Sequence, residues 1–224
     1  MTLPSGWVGP ALAAHVPALA RRYGLDCRIT RTAVALTFDD GPHPEGTVAV
    51  LEALAARGAA ATFFLVGEQV ERYPELARRI VDSGHEIALH GYRHTLLLRR
   101  RVKAFAADLD RAEGVIVAAT GQAPTLYRPP YGVFSTGALA HVRERGLLPL
   151  LWSRWGRDWE RRATPASIAR RATRGLRPGD VVLLHDSDAY SAGDSWARTA
   201  AALPSVLAAV EALGVAAEPV TQAT

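Results

Sequence analysis

The stretch VALTFDDGPHPEGT, residues 34–47, carries an apolar segment straight into two adjacent carboxylates, Asp39 and Asp40, and then into Gly41-Pro42. By itself Asp-Asp-Gly-Pro is a turn signal, because Asp caps turns locally while Gly and Pro supply the backbone conformations that turns need. One carboxylate is enough for that. Two like charges side by side at the end of a buried segment need a further reason, which the rest of the chain has to supply.

Working outward, short apolar runs alternate with segments of helical period. Strands are predicted at 33–38, 60–66, 85–89, 125–127, 147–152 and 181–184, with a weaker one at 215–218. Helices are predicted at 47–57, 69–83, 99–119, 136–145, 165–174 and 197–213. Glycines such as Gly121 and Gly146 fall where helices should stop, and Pro74 and Pro165 sit where a helix start tolerates proline. Repeated β-α units imply a parallel sheet, either closed into a barrel or open and doubly wound. Both forms collect chemistry at the carboxyl ends of their strands. Reactive residues do recur just past the predicted strand ends: His90 and His94 in HGYRH, Arg128 and Tyr131 in YRPPYG, Asp158 and Trp159 in WSRWGRDWE, and His185 in VVLLHDSD.

At 224 residues, nearly half of them hydrophobic, the chain suits one large α/β domain at 33–224 with a leader segment at 1–32 packed on it. The net charge of +4 is almost wholly arginine, and the basic run 99–103 lacks aromatic interleaving or a base-reading motif. It reads as a solvated helix face, so no nucleic-acid partner is expected. Cys27 is the single cysteine, which excludes an intrachain disulfide. The N-terminus has no basic region ahead of its apolar residues, and no run is long enough for a membrane span. A cytoplasmic location and no membrane partner are therefore expected.

Two histidines four apart can meet at one point if the segment turns tightly or is helical. Joined by a carboxylate from a neighbouring strand end, they make a two-His-one-carboxylate site that leaves positions open for water and substrate. A divalent cation there would explain the Asp pair: one ligates, and the other acts beside it.

Taken together and in this order, TFDDGP, HGYRH, RPPYG, DW and LLH resemble the motifs of the polysaccharide deacetylase (NodB-homology) family, carbohydrate esterase family 4. The resemblance implies a distorted, incomplete (β/α) barrel and a metal-dependent hydrolase that removes N- or O-acetyl groups from sugars. It implies Asp40, His90 and His94 as metal ligands, with zinc expected first and cobalt, nickel or manganese as alternatives. Asp39 would be the general base, paired with Arg128. His185 would be the general acid, tuned by Asp158, and the backbone N–H of Tyr131 would bind the oxyanion. Other histidines read as structural or surface residues, His85 as a hydrogen-bonding residue near the site.

Two positions depart from the family form. Gly91 stands where relatives commonly carry Ser or Thr, so it offers no hydroxyl to support the histidines. Trp155 stands where they usually carry Asp, three residues before Asp158. With Trp152 and Trp159 it would wall an apolar pocket. The loop HDSDAYSAGDSW, 185–196, brings Asp186, Asp188, Tyr190 and Asp194 near the acid, where it would meet hydroxyls or an amine or simply be solvated. The substrate expected is an acetylated amino sugar or small glycoside. The alternatives are a non-sugar or cyclic amide on the same metal site and, further off, a binding module without activity.

Overall fold

The computed structural model describes Ala13, residues 17–30 and residues 32–221. Most of the first half of the expected leader, residues 1–12 and 14–16, lies outside the described residues. In chain order the elements are α1 (Pro17–Arg22), β1 (Ala35–Asp39), α2 (Gly46–Ala55), β2 (Thr62–Leu65), α3 (Gly67–Arg72), α4 (Pro74–Asp82), β3 (Glu86–Leu89), α5 (Val102–Thr120), β4 (Leu126–Tyr127), α6 (Thr136–Glu144), β5 (Leu148–Pro149), β6 (Arg154–Trp155), α7 (Pro165–Thr173), β7 (Val181–His185) and α8 (Ser195–Glu211). The seven strands form one parallel sheet in the order β5-β4-β3-β2-β1-β7-β6.

β1 lies inside the sheet, paired with β2 and β7 and buried along its whole length. Burial of both its faces is why its sequence reads as an apolar run instead of an alternating one. The rings of Phe38 and Phe63 stack across the β1–β2 pair with centroids 5.2 Å apart. Burying each such side chain contributes about 1.5–3 kcal/mol.

The sheet cannot be flat. β5 and β6 stand at opposite edges, yet only residues 150–153 join them. Seven strands laid flat would separate their edges by about 29 Å, at about 4.8 Å per neighbour. Five Cα steps reach about 18 Å at most. The sheet therefore curls until its edges approach, giving a distorted and incomplete (β/α) barrel. The seam between the edges is bridged by the N-terminal segment. Asp26 pairs with Leu150, Arg28 pairs with Asp180, and the Leu151 N–H donates to the Asp26 carbonyl (2.7 Å).

Three expectations are corrected. The strand expected at 147–152 is reduced to β5, and a further short strand that was not expected, β6 at Arg154–Trp155, lies beyond it on the opposite edge. Pro149 brings no N–H to the ladder, and beyond Leu150 the chain leaves β4 for the N-terminal segment. The helix expected at 69–83 is two, α3 and α4, because the residue before a proline is disfavoured in helical conformation. Tyr73 sits at φ −133°, ψ 57°, and Pro74 opens α4. The weak strand at 215–218 is reduced to one bridge, Val34 with Ala217. Helix stops fall where glycines predicted them; Gly121 takes the left-handed conformation (φ 74°) that closes α5.

Candidate active site

The carboxyl ends of the strands converge on one pocket of about 210 Å³. Asp39 ends β1 and Asp40 follows at φ 80°, a left-handed conformation that a non-glycine residue holds only under strain. The turn swings the two carboxylates to different partners. The first meets Arg128, whose Nη1 donates to Asp39 Oδ1 (2.6 Å) and to Thr37 Oγ1 (2.9 Å). Arg128 is fully buried. Its remaining donors go to the carbonyls of Leu150 (3.3 Å) and Leu151 (2.9 Å), and its guanidinium lies 3.9 Å from the centre of the Phe64 ring. A buried charge with this many partners is rigidly aimed. It leaves Asp39 Oδ2 facing the pocket side, 3.8 Å from His90 Nε2.

The second carboxylate gathers the histidines. His90 and His94 lie on a tight bend after β3, not on a helix. His90 Nδ1–H donates to the Arg128 carbonyl (2.8 Å), which turns Nε2 toward Asp40 Oδ1 at 3.5 Å. His94 Nε2 stands 3.3 Å from the same oxygen. The ligand atoms of all three residues lie within 4.8 Å of one another. Asp40 Oδ1 is buried and has no hydrogen-bond donor among the described residues. Burial pushes the Asp40 carboxyl up, but its polar contact with His90 and the charges of His185 and His94 outweigh this and hold it at about 2. Burial lowers His94 to about 4, so its imidazole is neutral at neutral pH. A charged, orphaned carboxylate oxygen beside imidazole nitrogens is the donor set of a divalent cation. These residues fit one.

Opposite the cluster, His185 ends β7 with Nε2 4.0 Å from Asp40 Oδ2. Its Nδ1–H donates to Asp158 Oδ1 (3.0 Å) and its backbone N–H to Asp158 Oδ2 (2.7 Å), an oxygen that also accepts from Thr199 Oγ1 (2.8 Å). Burial opposes charge on this imidazole, yet the Asp158 carboxylate prevails and raises it to about 10. Such a histidine is a protonated donor with Nε2 as its free end.

The pocket wall is aromatic. Trp152, Trp155 and Trp159 run in sequence with centroids 5.8 and 5.5 Å apart, and Trp159 meets the His185 ring edge-on at 5.3 Å. Tyr131, in a 3-10 turn with φ 61°, is more than half exposed and sets its ring against His94. Leu183 also lines the pocket.

The residues singled out for metal binding, catalysis or the pocket meet at this one place, while His43, His85 and His141 do not. His85 accepts the Ala61 N–H (3.2 Å) at the start of β3, away from the pocket. His43 accepts the Gly46 N–H (3.0 Å) and so ties the turn to α2. Of the acidic loop, Asp186 is buried beneath the turn. It accepts from Thr47, and burial pushes it up to about 7. Asp188 accepts the Asp194 N–H (2.7 Å), so both close the loop on itself. Tyr190 and Ser191 instead line the pocket. Tyr190 donates to Glu68 (2.6 Å) and accepts from Gln69 (3.1 Å), residues that sequence reasoning missed. Both stand just past β2, so the rule that found the other strand-end residues would have found them.

The sequence model of the polysaccharide deacetylase family matches residues 28–149. The chain is 35% identical over 205 residues to a chitooligosaccharide deacetylase of Azorhizobium caulinodans, spanning 88% of this chain and 97% of that one. To a chitooligosaccharide deacetylase of Bradyrhizobium sp. it is 37% identical over 212 residues, 92% and 95% of the two chains. Among solved structures it resembles the Bc1960 peptidoglycan N-acetylglucosamine deacetylase in complex with 4-naphthalen-1-yl-N-oxidanyl-benzamide (TM-score 0.84, 27% identity, 92% of this chain and 95% of that one). It also resembles a carbohydrate esterase family 4 pseudoenzyme from Bacillus anthracis (TM-score 0.78, 26% identity, 88% and 67%).

Proposed function

We propose that this chain, which belongs to the polysaccharide deacetylase family, is a metal-dependent hydrolase that removes the acetyl group from an acetylated amino sugar. Likeness of fold alone does not carry this, since an inactive protein shares the fold. The observation that carries it is the buried Asp40 Oδ1 held 3.5 and 3.3 Å from two imidazole nitrogens, with the buried Asp39–Arg128 pair on one side and the Asp158–His185 pair on the other.

Asp40, His90 and His94 would hold the cation. Two imidazoles and a carboxylate suit zinc first, and also cobalt, nickel or manganese. Bound there, it would polarise the acetyl carbonyl and lower the pKa of a water. Asp39 is the base: Oδ1 is tied to Arg128, so Oδ2 takes the proton of the attacking water. The backbone N–H of Tyr131 donates to the oxyanion. An amine anion is a poor leaving group, so the nitrogen must be protonated as it departs. His185 does this from Nε2, because Nδ1 is held by Asp158. Trp152, Trp155, Trp159 and Leu183 line the pocket and exclude water around the acetyl group.

The relatives' sugar substrates support a glycoside substrate. The tryptophan wall, with Trp155 in place of a carboxylate, favours a small glycoside with an apolar part over a purely polar chain. The zinc-loaded full chain should release acetate from N-acetylglucosamine oligosaccharides or aryl N-acetylglucosaminides. Asp39→Asn should keep a full metal complement by elemental analysis and lose activity by about 10²-fold or more. An Asp39→Asn variant as active as the wild type would overturn the assignment of the base.

A further inference from the structure

The two histidines of the cluster are held in different ways. His90 is oriented by a hydrogen bond, its Nδ1–H donating to the Arg128 carbonyl (2.8 Å). The corresponding Nδ1 of His94 is buried and has no hydrogen-bond partner among the described residues. A metal-bound imidazole normally gives its second nitrogen to an oxygen, which fixes the ring's plane and its basicity. His94 lacks that support, and Gly91 does not supply a hydroxyl for it. Nor does position 91 readily accept a larger residue. Its φ is 88°, and a Cβ there would lie 3.3 Å from the Arg93 carbonyl and 3.4 Å from Asp108 Oδ2.

Rings hold His94 instead. The Tyr190 ring stacks on it with centroids 4.4 Å apart and planes 11° from parallel, and Tyr131 meets it edge-on at 4.5 Å and 65°. Tyr131 is exposed and free on its outer side, whereas Tyr190 is latched. Its hydroxyl donates to Glu68 Oε1 (2.6 Å) and accepts from Gln69 Nε2 (3.1 Å), so the ring is anchored across the pocket to the start of α3. A stack between near-parallel planes restrains rotation about the His94 ring normal only weakly, but it prevents tilting, the motion that would lift Nε2 away from Asp40.

We infer that Tyr190 is a positioning residue for the metal site: stacked on His94 and latched by Glu68 and Gln69, it takes the place of the missing hydrogen bond and holds the imidazole in ligating orientation. This rests on the reading of Asp40, His90 and His94 as ligands. It predicts that the metal affinity of this chain depends on a residue of the β7–α8 loop that itself offers no ligand.

The test measures affinity of the full chain for Co²⁺, by competition with a chromogenic chelator and with no substrate present, and records the visible d–d spectrum of the loaded site. Tyr190→Leu should weaken Co²⁺ binding by about 10- to 100-fold and alter the spectrum. Tyr190→Phe, which keeps the ring and loses the latch, should lose clearly less affinity than Tyr190→Leu and fall between it and wild type. His94→Ala is the reference: if it binds Co²⁺ as tightly as wild type, the ligand assignment itself fails. If His94→Ala loses the metal while Tyr190→Leu keeps wild-type affinity and spectrum, the positioning role alone is refuted. It is refuted equally if Tyr190→Phe loses as much as Tyr190→Leu, since stacking would then not be what places His94. Thermal melting of each metal-free variant separates these outcomes from loss of fold.

Discussion

At the scale of single residues, the site divides its carboxylates by environment. Asp39 faces a buried guanidinium, Asp40 faces imidazoles, and Asp158 faces one imidazole from behind. The last pairing has a measurable sign. Asp158 raises the pKa of His185, which as the proposed acid must be protonated to donate to the leaving nitrogen. Asp158→Asn removes the charge, so the His185 pKa falls and the alkaline limb of kcat/KM should move to lower pH, with the acid limb unmoved. An alkaline limb that stays in place would remove His185 from the role of acid. The selectivity proposed for Trp155 rests on area, not charge. Tilted against Trp152 and edge-on to Trp159, it offers a face that an apolar aglycone would bury, a contact of about 1.5–3 kcal/mol. Trp155→Ala should therefore reduce kcat/KM for an aryl N-acetylglucosaminide about tenfold more than for a chito-oligosaccharide, in keeping with the lower end of that range. An unchanged ratio would leave Trp155 as packing alone.

At the scale of elements, the strand-end residues were legible because a parallel sheet states itself twice, in apolar runs and in the polar residues that end them. Asp39, His90, Arg128 and His185 were found in that way, each from its own strand. Elements whose signal depends on distant partners were not legible. Residues 147–152 have strand composition throughout. Their departure from the sheet after Pro149 comes from its curl and from Asp26, 124 positions from Leu150. The Tyr190 latch was equally hidden, since nothing local marks a tyrosine that will stack on a histidine of another loop. The turn after β1 shows how tightly such loops can be docked. A Cβ on Gly41 would fall 2.3–2.8 Å from the atoms of the Asp186 carboxylate, which is buried and cannot swing away. Gly41→Ala should destabilise the protein by about 1–3 kcal/mol, read as a lowered midpoint in urea with unchanged slope. A midpoint equal to wild type would show that the turn yields.

For the whole molecule, the seam has a consequence for how the barrel breathes. β1 and β2 bury their full length and β7 all but His185, whereas the two edges are joined by single bridges and by the Arg28–Asp180 pair, whose partners are 152 residues apart in sequence. The seam's contacts cost about as much chain entropy as the similarly distant β1–β7 ladder but lack its continuous buried pairing. They are the first to be released, since local openings follow the fewest buried contacts. Amide hydrogens that cross the seam, Leu151 to Asp26 and Ile29 to Gly179, should exchange through a partial opening well below the free energy of global unfolding. The amides of Phe38 and Phe63 should exchange only with the whole protein; equal protection at both places would mean that the barrel opens as one unit. Because Leu150 and Leu151 also hold the guanidinium of Arg128, each opening of the seam loosens the partner of the proposed base, Asp39. The barrel's weakest join is thus wired to its chemistry, and conditions that loosen the N-terminal segment should lower turnover before they lower the melting temperature.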